Sequence, residues 1–256
     1  MRIRTIGLVM MVAVVAMWTG PAQALDATNN GVRLFLDDYE SQTLNAGPTT
    51  AGIPNPPGLG TWNATAGHNV RDNSVGPGPF AGSQYYQVGP TSGFQTSTVD
   101  FDSTQNSGNI HVEYMLYIPT HPQNLGPFGF KLSNASGDDG ARLLRFQLTA
   151  VSAAGGNIQD GATSTTGPFL PFNVWNLIEV DHTLGTGSYD ISVTPEGGVL
   201  ASATHNGIMG TGLTGMGFSS FDNDHAVYVD DFPEPATLAL LGLVAGPLFL
   251  ARRRRA

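Results

Sequence analysis

Between Asp26 and Phe232 short apolar runs alternate with clusters of Gly, Pro, Asn and Ser, and no segment sustains a helical period. That spacing predicts an all-β fold, an antiparallel β-sandwich of the jelly-roll kind. The clearest strand is Ile110 to Ile118, with Ile110, Val112, Tyr114, Leu116 and Ile118 on one face and His111, Glu113, Met115 and Tyr117 on the other. Arg142 to Ala150 repeats the alternation. A hairpin is predicted over Val174 to Thr194, turning at Gly185-Thr186-Gly187-Ser188. Pairing Leu184 with Tyr189 sets His182 opposite Ile191 and Val180 opposite Val193. Ile178, Val180, Ile191 and Val193 are then buried, and Glu179, Asp181, Asp190 and Ser192 face outward. A one-residue slip would bury those carboxylates, so the alternation is read as fixing the register. Further strands are predicted near Val32 to Leu36, Gln84 to Val88, Thr96 to Phe101, Phe128 to Leu132, Val199 to Thr204, Gly215 to Ser220 and Ala226 to Phe232. The Pro- and Gly-rich stretch Asn45 to Gly82 reads as a long irregular segment with Trp62 packed beneath it.

Composition sharpens this picture. The chain of 256 residues has 33 Gly, 17 Pro and no Cys, so apolar burial or an oxygen-ligated cation must stabilise it in place of disulfides. The net charge of −9 hides its distribution, because Arg2, Arg4 and Arg252 to Arg255 all lie at the ends. Between them Arg33, Arg71, Lys131, Arg142 and Arg145 face 19 acidic residues, a net of −14. Such a field repels nucleic-acid phosphates and excludes a DNA or RNA partner.

The two ends read as addresses. In residues 1–24, Arg2 and Arg4 precede an apolar stretch, and Ala22-Gln23-Ala24 supplies a small-x-small cleavage site, the pattern of a secretory signal peptide. At the other end, residues 233–256, Pro233-Glu234-Pro235 precedes an apolar segment from Ala236 to Ala251, closed by Arg252-Arg253-Arg254-Arg255. As a helix that segment is roughly 24 Å long against a hydrocarbon core of about 30 Å, so it spans a membrane if its arginines snorkel to the cytoplasmic side. Motif, transmembrane helix and basic tail in this order resemble the PEP-CTERM sorting signal. The resemblance implies an exosortase-type processing enzyme as partner, an inner-membrane-anchored precursor, and a mature form at the cell surface or in the extracellular matrix of a bacterium that makes exopolysaccharide. It concerns sorting only, and leaves the task of residues 25–232 open.

Within that β-sandwich domain, Phe35-Leu36-Asp37-Asp38-Tyr39-Glu40, Glu113 to Pro119, Trp175 to Val180 and Val227 to Phe232 are similar to strands of the concanavalin A-like and laminin G-like superfamily. Glu179-Val180-Asp181 resembles part of the Glu-x-Asp-x-x-Glu strand of laminarinase-like glycosidases, but His182, Thr183 and Leu184 follow where a third carboxylate is required. There is no Gly-x-Ser-x-Gly elbow, and His68, His111, His121, His182, His205 and His225 show no metal-site spacing. The chain therefore reads as no enzyme, with no catalytic residue assigned. Calcium is the candidate cofactor, held by Asp37, Asp38 and Glu40 together with Asp230 and Asp231 if the first and last strands lie side by side; Asp138-Asp139 and Asp222-Asn223-Asp224 are further acidic clusters. Trp62, Tyr85, Tyr86, Tyr117 and Trp175 are candidates for stacking on sugars. These features favour a non-catalytic surface or matrix protein with a glycan such as exopolysaccharide as ligand. The alternatives are a secreted polysaccharide hydrolase or lyase, and a structural spacer.

Overall fold

The structure, a computed structural model, describes residues 22–23, 25–37, 39–49, 60–64, 67–90, 95–120, 128–134, 142–160, 166–206, 210–220, 226–230 and 232–233. The chain divides into two compact units, residues 24–232 and the terminal segments 1–23 and 233–256. Of the terminal unit the described residues are Ala22 and Gln23, which form the short strand β1 (Ala22–Gln23), and Pro233, which ends the short strand β18 (Phe232–Pro233). The remainder of the expected signal peptide, Glu234, Pro235, the apolar segment and Arg252 to Arg255 lie outside the described residues, as do Ala24 and Asp231. Among the described residues no helix is long and apolar enough to cross a membrane.

Residues 24–232 form two antiparallel sheets. The smaller runs β12 (Thr166–Pro171), β11 (Gly155–Asp160), β10 (Arg142–Ser152), β9 (Phe128–Ser133), β16 (Leu213–Ser220), β7 (Gln95–Gln105) and β4 (Thr61–Asn63). The larger runs β15 (Ala201–Asn206), β14 (Ser188–Pro195), β13 (Trp175–Thr183), β8 (Asn109–Tyr117), β17 (Val227–Asp230), β6 (Gln84–Val88) and β5 (Asn69–Asp72), with the hairpin β2 (Leu25–Asn29) and β3 (Val32–Asp37) joined to it through β8. The predicted strands are present, and five more appear that periodicity missed. β12 carries Pro168 and Pro171, which a strand at the end of a sheet order tolerates because its outer N–H groups have no ladder partner to lose. β11 opens with two glycines, and β4 and β5 lie inside the segment expected to be irregular. β2 turns into β3 at Asn30-Gly31, where φ is 49° and 76°, the two-residue geometry that matches strand twist.

Two placements correct the sequence reading. In the β13–β14 hairpin Val180 faces Ile191 and Ile178 faces Val193, two residues away from the expected pairing. Every side chain keeps its expected face, because two is the strand period and a two-residue shift leaves the alternation unchanged. β3 and β17, the strands that carry Asp37 and Asp230, also do not pair with each other. β2 pairs with the first half of β8 (Asp26 opposite Glu113) and β17 with the second half (Asp230 opposite Met115), so they follow one another along one edge of β8.

Between the sheets, Tyr114 of β8 packs on Phe130 and Phe218 with ring centroids 5.5 and 5.3 Å apart, and Trp62 of β4 packs on Phe35 and Tyr86. Val112, Leu116, Ile178, Val180, Leu132 and Met216 complete a continuous apolar core. A second, smaller cluster of Tyr85, Met115, Trp175, Ala226 and Tyr228, with Phe80, Tyr117 and Leu177 against it, forms on the outer face of the larger sheet. Residues 73–83 fold over part of this cluster: Gly76 sits so close to the Tyr228 ring that a Cβ there would lie 2.6 Å from Cζ.

Candidate functional site

Ladder pairing across β2, β8, β13 and β14 brings polar residues from four strands onto that outer face in two adjacent rows. One row reads Asp26, Glu113, Glu179, Ser192, and the next Thr28, His111, Asp181, Asp190. Each residue alternates with a core residue of its own strand, so burial of Val112, Val180 and Ile191 on one side holds these polar groups on the other. His111 Nδ1 lies 2.8 Å from Asp181 Oδ1, and its Nε2 lies 3.7 Å from Glu113 Oε2. Ser192 Oγ donates to Glu179 Oε2 at 2.9 Å. Arg33 donates to Asp26 through Nη2 at 2.8 Å and Nε at 3.2 Å.

Glu113 and then Asp181 stabilise the imidazolium of His111 and raise its pKa to about 9 against the opposing effect of burial. Asp26 is raised from the usual carboxylate range because desolvation outweighs the Arg33 guanidinium. Among the described residues, one His, Asp and Glu group has donor atoms clustered closely enough to share a metal ion. It consists of His111, Glu113 and Glu179, with donor atoms within 4.8 Å of one another.

The third carboxylate of the Glu179-Val180-Asp181 pattern stays absent from β13, while a different carboxylate, Glu113 of the neighbouring strand, stands directly opposite Glu179. Nothing within either strand signals this, because the partners are 66 positions apart and only the β8–β13 pairing joins them. The other described histidines serve the interior. His68 is fully buried beside Ser97 Oγ and desolvation lowers its pKa to about 4; His182 and His205 are also buried. His121 and His225 lie outside the described residues.

The aromatic candidates separate into two groups. Trp62 and Tyr86 belong to the core between the sheets and Tyr85 is fully buried in the outer cluster, so none of these three offers a ring face to a sugar. Tyr117 is half-buried on the outer face, 5.4 Å from Trp175 and 6.2 Å from Tyr228 between ring centroids. It stands two same-face steps along β8 from Glu113, roughly 13 Å at the strand rise.

The acids expected to hold calcium are placed differently. Asp37, fully buried, accepts from Trp62 Nε1 and Gln42 Nε2 at 2.6 Å and from Tyr39 N–H at 2.8 Å. Glu40 accepts from Ser83 N–H and Oγ at 2.6 Å and from Gln84 N–H at 2.8 Å. Asp230 accepts from the N–H groups of Phe80 and Ala81. These carboxylates thus anchor residues 39–49 and 80–84 through N–H and O–H donors. Asp38, Asp138, Asp139, Asp222 and Asp224 lie outside the described residues, with Asp231.

No protein-family profile and no curated protein matches the sequence. Solved structures similar to the chain include lectin II from Ulex europaeus, at 9% identity and a TM-score of 0.45, covering 70% of this chain and 92% of the lectin. A legume lectin-like domain from Entamoeba histolytica is 11% identical with a TM-score of 0.38, covering 64% of this chain and 87% of that one. A marine PL-14 alginate lyase from Aplysia kurodai is 16% identical with a TM-score of 0.43, covering 64% and 85%.

Proposed function

We propose that this is an exported, non-catalytic protein of the cell surface or matrix whose β-sandwich binds glycan, and whose precursor is trimmed by an exosortase-type enzyme near Pro233-Glu234-Pro235. The observation that supports glycan binding is the outer face of the larger sheet, where the half-buried Tyr117 ring lies along one strand from the Glu113, Glu179 and Ser192 row. An aromatic ring takes the C–H face of a sugar, and carboxylates and hydroxyls take its O–H groups. Because that row is acidic, the glycan it suits is neutral. Retention of the full chain on immobilised neutral polysaccharides tests this, with Tyr117→Ala expected to weaken retention at least tenfold. Equal retention of both proteins would remove the support. The sorting part rests on the two ends of the sequence. Its test is the intact mass of protein recovered from a host with the processing enzyme, expected to lack both the first 24 residues and the C-terminal tail.

A hydrolase is the second reading, favoured by the direct opposition of Glu113 and Glu179, since retaining hydrolysis uses two carboxylates about 5–5.5 Å apart. Reducing-end release that Glu179→Gln abolishes would establish it over the non-catalytic reading.

A further inference from the structure

Glu113 and Glu179 stand directly opposite each other, and Asp26 stands opposite Glu113 on its other side, an arrangement of like charges that destabilises a sheet unless cations join it. Arg33 pairs with Asp26 at 2.8 Å, and His111, Glu113 and Glu179 hold their donor atoms within 4.8 Å of one another. The 3.7 Å between His111 Nε2 and Glu113 Oε2 is too long for an ordinary hydrogen bond. It is close to the spacing a metal imposes: bonds of roughly 2.0–2.2 Å to a tetrahedral ion set its donors about 3.4 Å apart.

The surrounding groups suit ligation. Asp181 lies 2.8 Å from Nδ1, where it accepts that N–H and turns Nε2 toward the two glutamates, the carboxylate–histidine relay that orients metal-bound imidazoles. Ser192 holds one oxygen of Glu179 through its hydroxyl. From these features we infer that His111, Glu113 and Glu179 form a binding site for a divalent first-row transition ion of the zinc class, with Asp181 and Ser192 as its supporting shell. One imidazole and two carboxylates make a mixed nitrogen and oxygen set that suits such ions better than calcium, whose ligands are oxygens alone. Three protein donors on a solvent-facing sheet leave at least one coordination position open to water or to a ligand oxygen. The inference does not depend on glycan binding.

Calorimetric titration of the full chain, stripped with chelator and held in mildly alkaline buffer, tests it with Zn²⁺ and with Ca²⁺ as separate probes. One Zn²⁺ per chain is expected, with Ca²⁺ at least a hundredfold weaker. His111→Asn and Glu179→Gln should each lower Zn²⁺ affinity at least a hundredfold. Asp181→Asn changes an exposed side chain outside the donor set and should lower it about tenfold to a hundredfold. Circular dichroism identifies any variant that has not folded, and Co²⁺ loaded in place of Zn²⁺ adds a second readout on the unaltered protein through the visible bands of a tetrahedral nitrogen and oxygen site. Zn²⁺ binding as tight in folded His111→Asn as in the parent, or Co²⁺ spectra like those of the free ion, would overturn the assignment. A protein that loses Zn²⁺ with these variants but keeps its retention on polysaccharide separates this site from the glycan reading.

Discussion

Asp37→Ala should unfold the protein more readily than almost any other single polar change, for a reason visible in its partners. The carboxylate is fully buried, and the Trp62 indole, the Gln42 amide and the Tyr39 backbone N–H are among its hydrogen-bond donors. Truncation strands three donors in the interior, at about 1–3 kcal/mol for each unsatisfied group. Two effects reduce the sum: the buried charge and its desolvation cost disappear as well, and Gln42 can turn toward Thr49, whose N–H and C=O it already meets. A net loss on the order of 4 kcal/mol follows, which for a domain of this size lowers the melting temperature by roughly 8–16 °C. Urea unfolding followed by tryptophan fluorescence is the assay, because Trp62 loses its hydrogen bond and its packing on Phe35 and Tyr86 in the same transition. The loss should be the same in chelator and in calcium. A loss below about 1 kcal/mol would refute the account of Asp37 as a structural acceptor, and a loss confined to calcium-containing buffer would restore it as a ligand.

Two further outcomes follow from the same structure. His68 is held neutral by burial, with its pKa lowered from 6.5 to about 4, so between those values the unfolded chain binds the proton and the folded chain does not. Stability should therefore fall as the pH drops below 6.5 and level off near 4, by up to about 3 kcal/mol, and His68→Gln should flatten that part of a urea-midpoint against pH curve. Gly31→Ala meets no atom within 4 Å but must adopt φ +76°, so a loss of about 1 kcal/mol with no change in packing is expected from urea unfolding.

Where side-chain alternation carried the information, the sequence was enough. β8 and β13 were legible because each hides one face completely, as Ile110, Val112, Tyr114 and Leu116 do on β8. The same signal was blind to the β13–β14 register, since only odd slips change which face a residue takes. β11 and β12 escaped because glycine and proline were read as turn chemistry, though proline can sit in a strand at the end of a sheet, as β12 does, and glycine can sit in a paired strand such as β11. The Asn30-Gly31 turn is a readable signal of the β2–β3 hairpin, whose first strand, Leu25–Asn29, alternates too weakly to show by periodicity. Trp62 and Tyr85 show the limit of reading aromatics by type, because the candidates for a sugar-stacking ring and for a core ring are the same residues until the sheet is assembled.

The site was hidden for a different reason. Read along β13, Glu179-Val180-Asp181 is an incomplete catalytic pattern, and read along β8, His111-Val112-Glu113 is a polar face. Only their lateral pairing turns four ordinary residues into one constellation, with Glu113 opposite Glu179 and His111 opposite Asp181. In a helix, chemistry three or four positions apart in sequence shares a face, so a motif search can find it. In an antiparallel sheet the row across the strands is the comparable unit, and its members are as far apart in sequence as the fold requires. Acidic residues follow the same rows: Asp26, Glu113, Glu179, Asp181 and Asp190 gather on one face of the larger sheet. In a domain with a net charge of −14, that acidic face is also the one that carries Tyr117. Carboxylates in such a row repel an anionic ligand and favour a neutral or positively charged one, which is the common ground of the glycan and metal proposals.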